Sequence, residues 1–187
     1  MSTTQIVILL VILAVIAIAA VALAIQNRRR KLRIQFGAEY DRAVRETGSK
    51  LKAEAELLRR QHRVHQYSLR PLSSVDRDRF QQSWRAVQAR FVDNPRDAFT
   101  EADQLLAQVM NARGYPVADF DRRAEEISVD HASVVENYRI AHEIALRHQE
   151  GKATTEELRR GMIQYRTLFE DLVGEPGLRA RVAGVNT

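Results

Sequence analysis

The chain has 187 residues, with 29 Lys+Arg against 24 Asp+Glu, a formal net charge of +5 and no cysteine. The absent cysteines exclude disulfide scaffolds, thiolate metal sites and cysteine nucleophiles. The excess charge is local: Arg28, Arg29, Arg30, Lys31 and Arg33 precede the first acidic residue, Glu39, and without those five the chain carries 24 basic and 24 acidic residues. The basic pI therefore belongs to one short cluster beside an apolar run, with an electrically balanced domain after it, and lends almost no support to a nucleic-acid partner.

After a short N-terminal tail, 1–5, the run Ile6 to Ile25 reads IVILLVILAVIAIAAVALAI, twenty apolar residues of which fourteen are Ile, Leu or Val. As a helix it is about 30 Å long, the thickness of a bilayer's hydrocarbon core. Insertion is favoured by roughly 6 kcal/mol on the transfer scale. Ala22-Leu23-Ala24 fits a signal-cleavage pattern, but the leader MSTTQ has no positive charge and the apolar run exceeds the usual length. The expectation is a transmembrane helix over 6–25. By the positive-inside rule, the basic juxtamembrane segment 26–36 is expected to stay on the cytoplasmic side of the cell membrane, with the N-terminus outside. Its five cations would also meet anionic lipid headgroups.

Beyond residue 36 the apolar spacing is helical and never alternates with period two, so no strand is expected. The fold class is all-α: the transmembrane helix followed by a soluble bundle of about six helices over 37–173, then a flexible tail, 174–187. Gly37 to Thr47 is a short helix closed by Gly48. Lys50 to Tyr67 carries Leu51, Ala55, Leu58, His62 and His65 on one stripe. Ser73 to Val92 begins with a Ser73-x-x-Asp76 cap and aligns Phe80, Trp84, Val87 and Phe91.

Asn94 caps the next helix with Pro95 at its first position, where the missing N–H costs nothing. That helix buries Phe99, Ala102, Leu106 and Val109 and stops at Gly114. A short helix over 117–127 carries Phe120, Ala124 and Ile127. Asp130 is read as the N-cap of Ala132 to Gln149, with Val134, Tyr138, Ala141 and Ala145 inward. Thr154-x-x-Glu157 is a capping box for a last helix facing inward through Leu158, Met162, Tyr165, Phe169 and Leu172.

Motifs for chemistry are few. His142-Glu143 resembles the start of HExxH, but position 146 is Leu. Glu136 has Arg139 three residues on, so no Glu-x-x-His pair of a di-iron bundle exists. His62 and His65 share a helix face but sit among Arg59, Arg60 and Arg63, whose field opposes a cation. There is no Walker A loop, GxGxxG or GxSxG. No catalytic residue, metal site or cofactor is therefore assigned. The densest polar segment, 113–142, supplies a candidate ligand set of Arg113, Tyr115, Asp130, His131 and Arg139, the basis of an alternative reading as a membrane-associated ligand binder or enzyme.

The segments FGAEYDRAV (Phe36–Val44), RPLS (Arg70–Ser73), RFQQSWRAVQARFVDNP (Arg79–Pro95), VMNARGYPVADF (Val109–Phe120) and SVDHASVVENYRIAH (Ser128–His142) resemble, in that order, an uncharacterised bacterial family of membrane proteins with one N-terminal span. The resemblance covers about residues 34–172. It implies a membrane-anchored helical architecture and carries no activity or cofactor. With no catalytic motif and dense mixed charge, the domain is expected to bind a protein partner as scaffold, adaptor or regulator.

Overall fold

The computed structural model describes residues 3–116 and 119–174. Its eight helices are α1 (Thr3–Phe36), α2 (Ala38–Thr47), α3 (Lys50–His65), α4 (Ser74–Asp93), α5 (Pro95–Ala112), α6 (Phe120–Asp130), α7 (Val135–Gln149) and α8 (Thr155–Gly174), with no strand among the described residues. Seven helices thus follow α1, one for each segment read from the spacing and one above the estimate of about six; the left-handed Gly48 (φ 66°) closes the ten-residue α2 as expected. Val117, the expected start of the 117–127 helix, and residues 175–187 of the expected tail lie outside the described residues.

α1 is one uninterrupted helix of 34 residues, about 51 Å long. It is long and apolar enough to cross a membrane. Its Ile, Leu and Val side chains from Ile12 to Leu23 are between 51% and 69% exposed. The helix does not end with the apolar run: it continues through the basic residues to Phe36, where Gly37 (φ 49°) turns the chain. Leu32 and Phe36, one turn apart on its last stretch, are buried.

Those two residues enter the smaller of two cores, with Tyr40 and Ala43 of α2, Ala53, Leu57 and Val64 of α3, and Val129 of α6. The larger core belongs to α4, α5, α7 and α8, with Ala124 and Ile127 from α6. Its stripes follow from spacing alone. Phe80, Trp84 and Val87 of α4 face Phe99, Ala102, Leu106 and Val109 of α5, and α8 contributes Leu158, Met162, Tyr165, Phe169 and Leu172. Trp84 stacks on Phe169 at 4.7 Å between ring centroids, and Phe99 stacks on Tyr165 at 5.1 Å.

The caps locate the helix starts. Ser73 Oγ accepts the Asp76 N–H at 3.0 Å, and Asn94 Oδ1 accepts that of Asp97 at 3.3 Å. Thr154 and Glu157 close the reciprocal box, each accepting the other's backbone N–H at 3.2 and 2.8 Å.

Three expectations are corrected. On α3 the buried residues are Ala53, Glu54, Leu57, Arg60 and Val64, whereas Leu51 is 73% exposed and His62 and His65 face solvent. The α6 helix is displaced towards the C-terminus, because Asp119 is its N-cap and accepts the Arg122 N–H at 2.9 Å. Asp130 is the last residue of α6 rather than a cap; α7 starts at Val135 without a side-chain cap.

The link between α3 and α4 is pinned to the end of α5. Arg70 donates its backbone N–H to the Arg113 carbonyl at 3.0 Å. Gly114 (φ 91°) allows this approach, since a Cβ there would lie 2.7 Å from the Ser68 carbonyl oxygen. Gly114→Ala combines an unfavourable φ with a clash against backbone, and is expected to cost roughly 2–3 kcal/mol. Urea unfolding measures it; a loss no larger than that of a surface substitution would contradict the tight approach.

Candidate functional site

The candidate ligand residues divide into two groups. Arg113, Tyr115 and His131 are each no more than 3% exposed. The Arg113 guanidinium donates to the Leu172 carbonyl, and His131 Nδ1 is paired with the neighbouring Asp171 carboxylate. Tyr115 Oη makes a long contact, 3.5 Å, to Asp130 Oδ2. The ends of α5, α6 and α8 thus meet through these side chains. A buried polar group needs such partners, and the interactions account for the residues as joints of the bundle. His131 Nε2 is buried without a hydrogen-bond partner.

Arg139 lies elsewhere. It donates from Nε and Nη2 to the two oxygens of Glu39, both at 3.2 Å, a bidentate pair linking α7 to α2 across 100 residues of sequence. Arg60 Nη1 approaches the same carboxylate at 3.5 Å, and its Nη2 reaches Glu125 at 3.2 Å. Arg63 then meets Glu125 at 2.9 Å. Arg139, Glu39 and Arg60 are all buried. The network therefore joins α2, α3, α6 and α7 where the two cores meet.

Its fringe is tuned by the same charges. Burial pushes the Glu56 carboxyl up, but the Arg59 hydrogen bond and the charges of Arg60 and Arg63 outweigh it, leaving the group below the usual carboxylate range. Tyr67 donates to Glu126 at 2.5 Å, and burial with that carboxylate raises its phenol above the ordinary value. Arg122 completes this arm at 2.8 Å from Glu126.

Arg139 also lines a surface cavity of about 450 Å³ with Arg42, Asp119, Phe120, Asp121 and His142. His142 stacks on Phe120 at 3.5 Å. Burial lowers its pKa below that of a free imidazole, against the opposing charge of Asp103. A third polar region is a groove of about 510 Å³ between α4 and α8, lined by Arg77, Arg85 and Arg166 over the Trp84–Phe169 stack.

No group of three or more His, Asp or Glu side chains among the described residues could hold a metal ion. The five clustered cations of α1 project in two directions. Arg28 and Lys31 line a cavity with Leu58 and Gln61 of α3; Arg29, Arg30 and Arg33 line another with Tyr40 and Lys50.

Residues that sequence reasoning passed over include Glu39, Arg60, Glu125 and Asp171. Each is an ordinary charged residue in its own helix, and only distant partners give it a role. No model of a known protein family matches the chain, and no curated protein or solved structure is similar to it.

Proposed function

We propose that the chain is a single-pass protein of a bacterial cytoplasmic membrane, with its N-terminus outside and its helical domain in the cytoplasm. There the domain serves another protein as scaffold, adaptor or regulator. The observation that carries this reading is the continuity of α1. One 34-residue helix has exposed apolar side chains from Ile12 to Ile25 and buried Leu32 and Phe36 at its end. A bilayer would cover the exposed part, and exposed apolar surface on that scale calls for a covering medium. The juxtamembrane cations set the orientation. Arg113, Tyr115, His131 and Arg139 are engaged inside the domain, which favours interaction over catalysis.

Because the chain has no cysteine, single cysteines introduced at Ser2 and Thr187 report topology without background. In intact cells an impermeant thiol reagent is expected to label position 2 and to spare 187; labelling of 187 from outside reverses the orientation. Photocrosslinking from exposed positions of α4 and α8 in native membranes is expected to trap a defined protein. Capture of nothing above background would count against the scaffold reading.

A further inference from the structure

The second juxtamembrane cavity, about 550 Å³ in volume, is lined by Arg29, Arg30, Arg33, Ile34, Tyr40 and Lys50. Four of the six are cations, drawn from two helices 20 residues apart in sequence. Arg29 and Arg33 are partly neutralised, by Glu54 at 2.9 Å and Asp41 at 3.2 Å. The side chains of Arg30 and Lys50 have no ion-pair or hydrogen-bond partner among the described residues, which leaves two uncompensated charges at the cavity.

Its depth follows from the register of α3 on α1. Arg29 pairs with Glu54, and six residues further along α1 Gln35 accepts a hydrogen bond from Gln61 at 3.3 Å. Partners therefore advance together, 29 with 54 and 35 with 61, so the two helices run parallel. One turn back from Glu54, Lys50 stands level with Ile25, the last residue of the apolar run. Leu51, beside it, is 73% exposed, as an apolar side chain at a bilayer surface would be. The headgroup layer is about 5–8 Å thick on each side of the hydrocarbon core. Arg29 and Arg30 lie about 6–8 Å past Ile25 along α1, within that layer.

We propose that this cavity holds the phosphate of an anionic phospholipid, bound between Arg30 of α1 and Lys50 of α3 with Arg29 and Arg33 alongside. The α2–α3 corner is then a second contact with the bilayer, and Leu51 reaches the acyl boundary next to the bound headgroup. The proposal rests on the membrane-spanning reading of α1.

Full-length protein in phosphatidylcholine vesicles doped with phosphatidylglycerol tests it, with retained lipid counted by native mass spectrometry. Arg30→Gln with Lys50→Gln is expected to weaken phosphatidylglycerol retention roughly thirtyfold, two basic contacts being removed. Arg28→Gln with Lys31→Gln removes the same charge from the other side of α1 and is expected to leave retention near wild type. Equal loss in both pairs means diffuse attraction and overturns the pocket. Inorganic phosphate held by the protein in pure phosphatidylcholine as tightly as the lipid would make this a free-anion site and overturn the lipid assignment. Alkaline carbonate washing of native membranes separates the two levels. Release of the wild-type chain removes the membrane-spanning reading and the lipid site with it, whereas retention with equal loss in both pairs removes the site alone.

Discussion

Replacing Glu39 with Ala is expected to lower stability by about 3–5 kcal/mol, a fall in Tm on the order of 10 °C for a domain of this size. Glu39 is 2% exposed and is the carboxylate partner of Arg139, itself 8% exposed, through both of its oxygens. Arg60, 5% exposed, approaches it as well. Removing the anion leaves two largely buried guanidinium groups close together without the carboxylate between them. Arg60 retains Glu125 at 3.2 Å and Glu56 at 3.5 Å. The cost therefore falls mainly on Arg139.

This assignment makes a double-mutant cycle decisive. Arg139→Met alone should be destabilising, since Glu39 is left facing only Arg60. Glu39→Leu combined with Arg139→Met should recover most of the loss, because an apolar pair of similar volume avoids burying charge. Thermal unfolding of the full chain in detergent reads Glu39→Leu, Arg139→Met and the double variant, which close the cycle, with Glu39→Ala beside them. If Glu39→Ala costs no more than the fraction of a kcal/mol typical of exposed ion pairs, the pair is not buried as described.

The same network shows where local pattern stops being informative. Helices α4, α5 and α8 each bury one stripe against a single core, so spacing of three and four residues identifies Trp84, Phe99 and Tyr165 correctly. Helix α3 is held by α1, α2 and α6 together, and two of its buried positions are charged. Treating Glu54 and Arg60 as solvent-facing rotates the expected stripe onto Leu51, Ala55, Leu58, His62 and His65. Glu54 is buried because it accepts from Tyr40 at 3.0 Å and pairs with Arg29. Arg60 is buried because Glu39 and Glu125 lie across from it. Neither partner set can be read from a window of α3 alone.

Capping signals were similarly ambiguous around α6. Asp119 and Asp130 both precede helical sequence, and either suits an N-cap by residue type. The structure uses Asp119, whose oxygen accepts from Arg122, and runs α6 through Asp130. His131 then receives the Val134 and Val135 N–H groups on its carbonyl, so α7 starts from a backbone turn. The candidate ligand residues straddle this boundary, hence their division: Tyr115, Asp130 and His131 mark helix ends, whereas Arg139 projects from inside α7 towards α2.

The basic segment 26–36 hides its buried positions behind its charge. Five cations in six residues mask Leu32 and Phe36, which sit four apart and face the smaller core. Phe36→Ala is expected to cost about 3–5 kcal/mol, as for other buried aromatic residues. Phe36 is fully buried at the last position of α1, whereas Ile34, two residues earlier on the same helix, is 74% exposed. Ile34→Ala should therefore lie within about 0.5 kcal/mol of wild type. This contrast fixes the rotation of α1 against the domain: a slip of the helix would exchange the two effects.

The loss at Phe36 should also be local. The smaller core has eight buried apolar residues, and most come from α1, α2 and α3. Hydrogen exchange is expected to accelerate across α2 and α3 while α4, α5 and α8, packed in the larger core, retain their protection. Uniform acceleration over all helices would mean that the two cores unfold as one unit. Slow exchange everywhere would mean that α1 does not hold the domain at all. With the local result, α1 and the first helices of the domain form one stiff lever, so a rotation or tilt of α1 would reach α2, α3 and the Glu39–Arg139 pair directly, with no flexible tether to dissipate it.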